Sequence, residues 1–224
     1  MIRSATKQDI SDIRHIYKKC FDASVEYIDF FLKKCTPRHT LVYEQDGKAV
    51  SVVQTMSISY ISNSRTRGNR DSHAGVYICG LATLPEYRSR GYAKSLIAYI
   101  RNNAKRYGWK FMMVHPSNAE IVPFYDKIGF NTPIYRNADS LPLFENKAFI
   151  SNFDGVSLFL TRDERLISDY FQWNHYLLDY IIEEAALNPP SPYQYDTRYP
   201  YLLLMSLNDG FSPESTHSTF SFPL

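Results

Sequence analysis

The chain has little of what would place it in a membrane or outside the cell. Its only cysteines, Cys20, Cys35 and Cys79, form neither a C-x-x-C pair nor a cluster with histidines. No apolar run reaches the roughly 18 residues of a membrane span, and the N-terminus lacks the basic-then-apolar layout of a signal peptide. These absences predict a cytoplasmic protein without membrane association or a metal site, in which the cysteines are small buried hydrophobic residues.

An excess of charge of one sign is missing as well. Twenty-five basic and 23 acidic residues leave a net charge of only +2, which disfavours a nucleic-acid partner. Arg65, Arg67 and Arg70 form a small basic group that can bind an acidic ligand, although a solvated loop is the simpler interpretation. Apolar residues make up 44% of the 224, enough for one large domain or for one domain with an appendage.

Two common nucleotide-binding motifs are also absent, but another part of the sequence is a candidate phosphate site. The chain has no G-K-[ST] after a glycine loop and no G-x-G-x-x-G. Instead, an apolar strand from Val76 leads into Arg88-Ser89-Arg90-Gly91-Tyr92-Ala93, and a helical pattern with apolar residues at Leu96, Ile97 and Ile100 follows at once. The unpaired N–H groups of a helix N-terminus attract phosphates, and a glycine there lets the backbone approach closely.

A second block of sequence, further along the chain, makes the pattern around this turn more specific. An apolar run from Trp109 to Val114 predicts a strand, and Asn118 to Phe130 then reads N-x(6)-Y-x-K-x-G-F. Together the two blocks resemble the GNAT family, the Gcn5-related acetyl-CoA-dependent N-acyltransferases, over about Met1 to Arg136. The following residues are in register with the family pattern: Pro85, Arg88, Gly91, Ala93, Asn118, Tyr125, Lys127, Gly129 and Phe130.

The resemblance implies an α/β fold, with a mixed, splayed β-sheet flanked by helices. We expect a catalytic domain over residues 1–150 and an α+β extension over residues 151–224 that packs on it and walls the acceptor site. The element order predicted from the residues themselves, β-α-α-β-β-β-α-β-α, agrees with this family.

Local signals support that element order. Thr6 and Asp9 are spaced as a capping box before a helix, a second helix follows from Val25 to Cys35, and Asp46-Gly47 predicts a hairpin between two strands. Ile61 to Ala74 reads as a polar loop. Further on, the apolar spacing predicts a long helix over Arg162 to Leu187 and a strand over Tyr201 to Leu207.

By resemblance, the cofactor is acetyl-CoA, used as a cosubstrate. Backbone groups of Leu81 and Thr83 would pair with its pantetheine arm. Backbone N–H groups from Arg88 to Ala93 would hold its pyrophosphate, with Lys94 or Ser95 adding contacts. Asn118 would bind the pantetheine, and its position also suits the N-cap of a helix.

The catalytic groups are less completely specified. By resemblance, Tyr125 protonates the departing thiolate. Many relatives carry a glutamate in the central strand as the general base, but Val76 to Thr83 contains no carboxylate. His73 lies just before this strand and His115 at the end of the next, and an imidazole has a suitable intrinsic pKa. Glu44, Glu86 and Asp71 are less well placed, and a water chain or an amine with a depressed pKa are the alternatives.

The function implied is transfer of an acetyl group to an amine acceptor by direct transfer in a ternary complex. The acceptor would be a small molecule or a peptide, and the family also allows a homodimer. The missing strand carboxylate favours one alternative, a degenerate member that binds acyl-CoA as a sensor or scaffold without turnover.

Overall fold

A computed structural model of the chain describes residues 1–21, 24–35, 39–62, 71–142, 157–160, 169–173, 202–207, 211 and 217–221. The chain divides into two compact units. Unit 1 comprises Met1–Met56 and Ile78–Tyr107, and unit 2 comprises Ser57–Tyr77 and Gly108–Leu224.

The described elements are both α-helices and β-strands, as expected for an α/β fold. The helices are α1 (Ile10–Phe21), α2 (Val25–Cys35), α3 (Tyr92–Tyr107) and α4 (Val122–Lys127). The strands are β1 (Ile2–Ser4), β2 (Thr40–Gln45), β3 (Lys48–Ser62), β4 (Asp71–Thr83), β5 (Phe111–Val114), β6 (Thr132–Pro142), β7 (Ser157–Leu160), β8 (Asp169–Trp173), β9 (Leu202–Ser206) and β10 (His217–Ser221). The order through α4 confirms the predicted β-α-α-β-β-β-α-β-α.

The sheet of unit 1 is built on a tight hairpin. β1 pairs antiparallel with β2, and β2 pairs antiparallel with β3. Asp46 and Gly47 connect β2 to β3 with φ angles of 52° and 77°. Two consecutive residues at positive φ are characteristic of the turn whose twist matches that of paired strands. The predicted hairpin is therefore confirmed.

The helices of unit 1 bury the faces that their apolar spacing predicts. α1 buries Ile13, Ile16 and Tyr17, and α3 buries Leu96, Ile97, Ile100 and Ala104. Residues three and four positions apart share one face of a helix, which explains why these sets are buried together. In α2, Ile28 and Leu32 follow the same spacing and are buried as well.

One arginine joins β1, the segment just before α1, and β2 in unit 1. Arg3 on β1 donates two hydrogen bonds to the carboxylate of Asp9, each at 2.7 Å, and its Nε donates to Glu44 on β2 at 2.6 Å. Asp9 also accepts from the backbone N–H of Thr6 at 2.7 Å, as the predicted capping box requires. Asp9 is 5% exposed, and the bidentate pair with Arg3 lowers the pKa of this carboxyl to about 2.

In unit 2, strands that lie far apart in the sequence pair with one another. β9 lies between β5 and β6 and pairs antiparallel with each of them. β10 pairs parallel with β6, and β7 pairs antiparallel with β8. The predicted strand over Tyr201 to Leu207 is thus confirmed as β9, whose residues Leu202 to Met205 are buried.

Two predicted segments were wrong in part. The polar loop over Ile61 to Ala74 is strand at both ends, because β3 continues to Ser62 and β4 begins at Asp71. The helix predicted over Arg162 to Leu187 is wrong at residues 169–173, which form β8 and pair antiparallel with residues 58–62 of β3. Its sequence D-Y-F-Q-W is rich in aromatic residues, which favour strands once a partner strand is available. The remainder of that segment lies outside the described residues.

Other expectations have mixed outcomes. Cys20 and Cys79 are half-buried rather than fully buried as predicted, and neither forms a disulfide. None of the helices in the described part of the chain is both long and apolar enough to cross a membrane. The domain boundary between residues 150 and 151 and the splay of the sheet stay predictions, as does the packing of the extension over an acceptor site.

The Arg3–Asp9 pair leads to a prediction about acid stability. A carboxyl whose pKa is lowered on folding stabilises the protein above its unfolded pKa of about 3.9, and this contribution is lost as the pH falls towards the folded value. We expect Asp9→Asn to lower the free energy of unfolding by about 2 kcal/mol at pH 7. The difference from wild type should shrink below pH 4 and largely disappear near pH 2, as measured by urea unfolding.

The matched control for this prediction is Asp29→Asn. Asp29 pairs with Arg14 at 2.6 Å, but both side chains are nearly half exposed, at 47% and 45%. An exposed pair of this kind contributes less than about 1 kcal/mol. Equal losses in the two variants, or a loss for Asp9→Asn that does not change with pH, would contradict the assignment.

Candidate functional site

The end of strand β4 is interrupted by a glycine in a left-handed conformation. Gly80 has a φ of 56° in the middle of otherwise extended backbone. Such a residue redirects the N–H and C=O groups that follow it and is typical of a bulge. Leu81 and Thr83, the two residues predicted to pair with a ligand through their backbones, come directly after this point and are half-buried.

The last residue of β4 is tied to its surroundings by several contacts. The carbonyl of Thr83 accepts from Arg88 Nε at 3.2 Å and from the thiol of Cys20 at 3.3 Å. Its hydroxyl lies 2.7 Å from the hydroxyl of Ser51 on β3, which in turn donates to the carbonyl of Ala82 at 2.9 Å. Sequence reasoning assigned no role to Ser51 or to Cys20 here.

Two residues of the turn before α3 have positive φ angles. Ser89 is at 61° and Gly91 at 82°. Left-handed residues within a turn aim successive backbone N–H groups into one concavity, an arrangement known for binding anions. A Cβ atom added to Gly91 would meet no atom within 4 Å, so the space in front of the turn is open. The predicted closeness of backbone to ligand at Gly91 fits this geometry.

Helix α3 begins immediately after the turn and adds further donors. Its first backbone hydrogen bond runs from Ser95 N to Gly91 O at 2.9 Å. By helix geometry, the N–H groups of Tyr92, Ala93 and Lys94 have no acceptor within their own helix. They point along the helix axis at the positive end of the helix dipole. Lys94 is exposed, whereas the Ser95 hydroxyl bonds back to Gly91 O at 3.0 Å.

Two exposed arginines add positive charge to the turn, and both are held by neighbouring groups. Arg88 bonds to the Thr83 carbonyl, as described above. Arg90 donates to the carbonyl of Glu86 at 3.1 Å, and its guanidinium lies 5.0 Å from the centre of the Tyr87 ring. A phosphate at the turn would therefore meet two cations whose stems are already ordered. The segment from Arg88 to Lys94, all predicted from sequence, belongs to unit 1.

The remaining predicted site residues belong to unit 2. Asn118 caps the helical segment that leads into α4, since its Oδ1 accepts from Ile121 N at 3.2 Å. This confirms the predicted N-cap. Its side chain is exposed, and its contact with pantetheine stays a prediction.

Tyr125 lies on α4 in an apolar environment. It is 7% exposed, and its ring makes edge-to-face contacts with Phe124 and Phe130 at centroid distances of 5.2 and 5.6 Å. Burial raises the pKa of the Tyr125 phenol to about 12, because the ionised form loses its hydration. At neutral pH this side chain is thus a fully protonated hydroxyl, which can donate a proton but cannot act as a base.

The two histidine candidates differ in environment. His73 on β4 is half-buried within an aromatic cluster, 6.2 Å from the Tyr60 ring and 5.7 Å from the Phe211 ring. Phe211 in turn stacks on Phe111 at 4.6 Å. His115 follows β5 directly and is also half-buried. The packing gives His73 a clear structural role, and the use of either imidazole as a base stays a prediction.

Unit 1 has a turn whose geometry could accept an anion, and unit 2 has a protonated phenol and two imidazoles. Within the described residues, no group of three or more histidine, cysteine or acidic side chains could hold a metal ion.

Comparison with known proteins is informative for the first half of the chain. A family model described as an acetyltransferase (GNAT) domain matches residues 1–132. No curated protein matches the chain.

Solved structures with similarity are also found. One is a GCN5-related N-acetyltransferase from Kribbella flavida, at 15% identity and a TM-score of 0.41, covering 55% of this chain and 31% of that one. A second is the aminoglycoside 6'-N-acetyltransferase AAC(6')-IG from Acinetobacter haemolyticus, at 16% identity and a TM-score of 0.45, covering 58% and 89%. A third is the GNAT family N-acetyltransferase YhbS from Escherichia coli in complex with CoA, at 16% identity and a TM-score of 0.46, covering 61% and 73%. The chain thus spans less than a third of the Kribbella protein.

The buried phenol gives a prediction about alkaline stability. An unfolded tyrosine ionises near pH 10, whereas Tyr125 in the folded chain ionises only near pH 12. Above pH 10 the unfolded state binds fewer protons, so stability falls as the pH rises. We expect the free energy of unfolding of the wild type to fall between pH 8 and pH 11 by about 1 kcal/mol more than that of Tyr125→Phe.

Tyr107→Phe is the control for this measurement, because Tyr107 is 58% exposed. It should follow the wild type across the same pH range. A Tyr125→Phe variant that also follows the wild type would show that the phenol is hydrated in the folded chain.

Proposed function

Because the chain belongs to the GNAT acetyltransferase family, we propose that it is an acetyl-CoA-dependent N-acyltransferase. It would move an acetyl group from the thioester of acetyl-CoA to an amine acceptor by direct transfer in a ternary complex. The acceptor is a small-molecule or peptide amine, and the place of reaction is the cytoplasm.

The observation that supports this proposal most strongly is the turn from Arg88 to Lys94. A pyrophosphate carries adjacent negative charges and many acceptor oxygens. The left-handed Ser89 and Gly91, together with the first N–H groups of α3, provide donors for those oxygens. Arg88 and Arg90 add charge without a large ordering cost, since both are already held. The segment after Gly80 then offers Leu81 and Thr83 for strand-like pairing with the pantetheine arm.

The reaction has to move two protons. The nitrogen of the amine attacks the thioester carbonyl, a C–N bond forms, and the C–S bond breaks. The amine loses one proton to a base, and the departing CoA sulfur gains one proton from an acid. The carbonyl oxygen carries negative charge during the attack and needs a hydrogen-bond donor.

Tyr125 is the proposed acid. The phenol carries its proton at neutral pH, as an unshifted tyrosine also would. We propose that it passes this proton to the sulfur as the C–S bond breaks, although the burial that raises its pKa to about 12 makes it a weaker acid than a hydrated tyrosine. The aromatic neighbours Phe124 and Phe130 hold the ring and keep water away from it.

The base is proposed to be His73 or His115. β4 contains no glutamate, and its one carboxylate, Asp71, is its first residue, so the strand lacks the glutamate that many relatives use. If neither imidazole is required, the acceptor would bind as the neutral amine or lose its proton through water. Replacing each histidine with Gln and comparing the pH dependence of turnover distinguishes these routes.

A sensor or scaffold without turnover is the second candidate, and the absence of a carboxylate between Val76 and Thr83 favours it. Such a protein would bind acetyl-CoA at the same turn but release no thiol in the presence of amines. We propose a screen of polyamines, amino acids, aminoglycosides and peptide N-termini with a thiol-release readout. Acceptor-dependent release identifies an enzyme, whereas CoA binding without any release identifies the sensor.

The phosphate turn can be tested by a change at Gly91. We expect Gly91→Glu to weaken CoA binding by at least about 100-fold, because a carboxylate would occupy the concavity and repel the pyrophosphate. Calorimetric titration with CoA measures the effect. Wild-type affinity in a folded Gly91→Glu variant would overturn the site.

Gly47→Glu is a matched control for this variant. Gly47 also has a positive φ, at 77°, and a Cβ there would also meet no atom within 4 Å. The two substitutions therefore impose the same backbone strain and the same charge. Only the variant at the turn before α3 is expected to lose CoA affinity, whereas Gly47→Glu should bind CoA like the wild type.

The proposed acid is tested by Tyr125→Phe. Loss of general acid help lowers turnover by about 100-fold or more, and CoA affinity should change little. Steady-state rates with the acceptor found in the screen, beside calorimetry with CoA, give both quantities. Turnover equal to that of the wild type, under conditions where the chemical step limits the rate, would return Tyr125 to a purely structural role.

A further inference from the structure

The first residue of α3 has a side chain that is fixed at two points by strand β2. The ring of Tyr92 stacks on that of Tyr43, with centroids 4.1 Å apart and planes 19° apart. The Tyr92 hydroxyl donates a hydrogen bond to Gln45 Oε1. Tyr43 and Gln45 belong to β2, and Gln45 is the last residue before the rigid hairpin turn. We name the three residues Tyr43, Gln45 and Tyr92 the tyrosine clamp.

The clamp acts on the part of the backbone that faces the proposed phosphate. Tyr92 directly follows the left-handed Gly91, and its N–H is the first of the three donors without an acceptor in α3. Ser89 holds a left-handed conformation that residues with a side chain seldom adopt, and Gly91 is free to adopt many others, so the turn needs an external restraint to stay in shape. Fixing the Tyr92 side chain fixes the direction of its N–H.

A second set of contacts restrains the other side of the turn. The Tyr87 ring lies 6.5 Å from that of Tyr92, and the Arg90 guanidinium lies over Tyr87 and bonds to the Glu86 carbonyl. The residues that flank Ser89 and Gly91 are thus connected by aromatic contacts to β2.

We propose that Tyr92 is a positioning residue, and that the tyrosine clamp holds the phosphate turn ready for the pyrophosphate of acetyl-CoA. This inference rests on the proposed function. A pre-ordered turn binds more tightly because less conformational freedom is lost when the ligand arrives. The clamp therefore contributes to the affinity for the phosphate part of the ligand and not to that for the pantetheine arm.

The experiment compares two ligands that differ in their phosphates. CoA is titrated by calorimetry, and pantetheine, which has no phosphate, is titrated by NMR. We expect Tyr92→Leu to raise the dissociation constant of CoA about tenfold, through loss of both the stack and the hydrogen bond, and to leave that of pantetheine unchanged. A thermal melt of each variant establishes that it is folded. Tyr99→Leu, at a 42% exposed position of the same helix, should bind both ligands like the wild type.

A milder variant keeps the test informative if Tyr92→Leu does not fold. Tyr92→Phe removes only the hydroxyl and should weaken CoA binding about fivefold. Gln45→Leu removes its acceptor and should have the same effect. The double variant should be no weaker than either single one, because both changes remove one shared hydrogen bond.

The outcomes separate the clamp from the proposed function. A wild-type chain that does not bind CoA overturns both. If the wild type binds CoA, a folded Tyr92→Leu or Tyr92→Phe variant with the same CoA affinity as the wild type overturns only the proposed role of the clamp. Equal losses for CoA and for pantetheine also overturn it, since they would indicate general loosening of the fold.

Discussion

The N-terminus of α3 presents backbone N–H groups that its own helix cannot satisfy, and much of unit 1 is arranged around them. The strand before it carries a left-handed glycine, and the turn contains two further left-handed residues, Ser89 and Gly91. The conformation of Ser89 is unfavourable for a residue with a side chain, and the residues on either side of it are held by contacts from outside the turn, namely Arg88 on the Thr83 carbonyl and Tyr92 on Tyr43 and Gln45. A cluster of donors held in this way is suited to an anion.

Contacts between residues that are distant in the sequence also hold the beginning of the chain and parts of unit 2. Arg3 connects β1, the start of the first helix and β2 through one guanidinium, with the Asp9 carboxylate almost fully buried. In unit 2, a Cβ at Gly75 would lie 2.4 Å from the Phe111 ring, so only glycine lets that ring cover the strand. Tyr125 is enclosed by aromatic rings that raise its pKa and thereby keep its proton in place.

Local signals in the sequence predicted well wherever the structure is decided locally. The Asp46-Gly47 hairpin and the apolar faces of α1 and α3 depend on neighbours within a few residues. The helix expected over Arg162 to Leu187 was wrong at residues 169–173, because β8 depends on pairing with residues 58–62 far away in the sequence. The tyrosine clamp was missed for the same reason, since Gln45 and Tyr92 are 47 positions apart. Gly80 was the one signal overlooked, as an isolated glycine within a strand pattern indicates a bulge.

The central claim is that the turn before α3 holds the pyrophosphate of acetyl-CoA through its backbone. The most direct test is a titration of the ¹⁵N-labelled chain with CoA, followed through its amide NMR signals. The account predicts that the amides of Ser89 to Lys94 shift most, and that the shifts at Tyr92, Ala93 and Lys94 are downfield, as expected for new hydrogen bonds to phosphate. Saturable CoA binding that leaves these amides unshifted, with the changes confined to other parts of the chain, would contradict it.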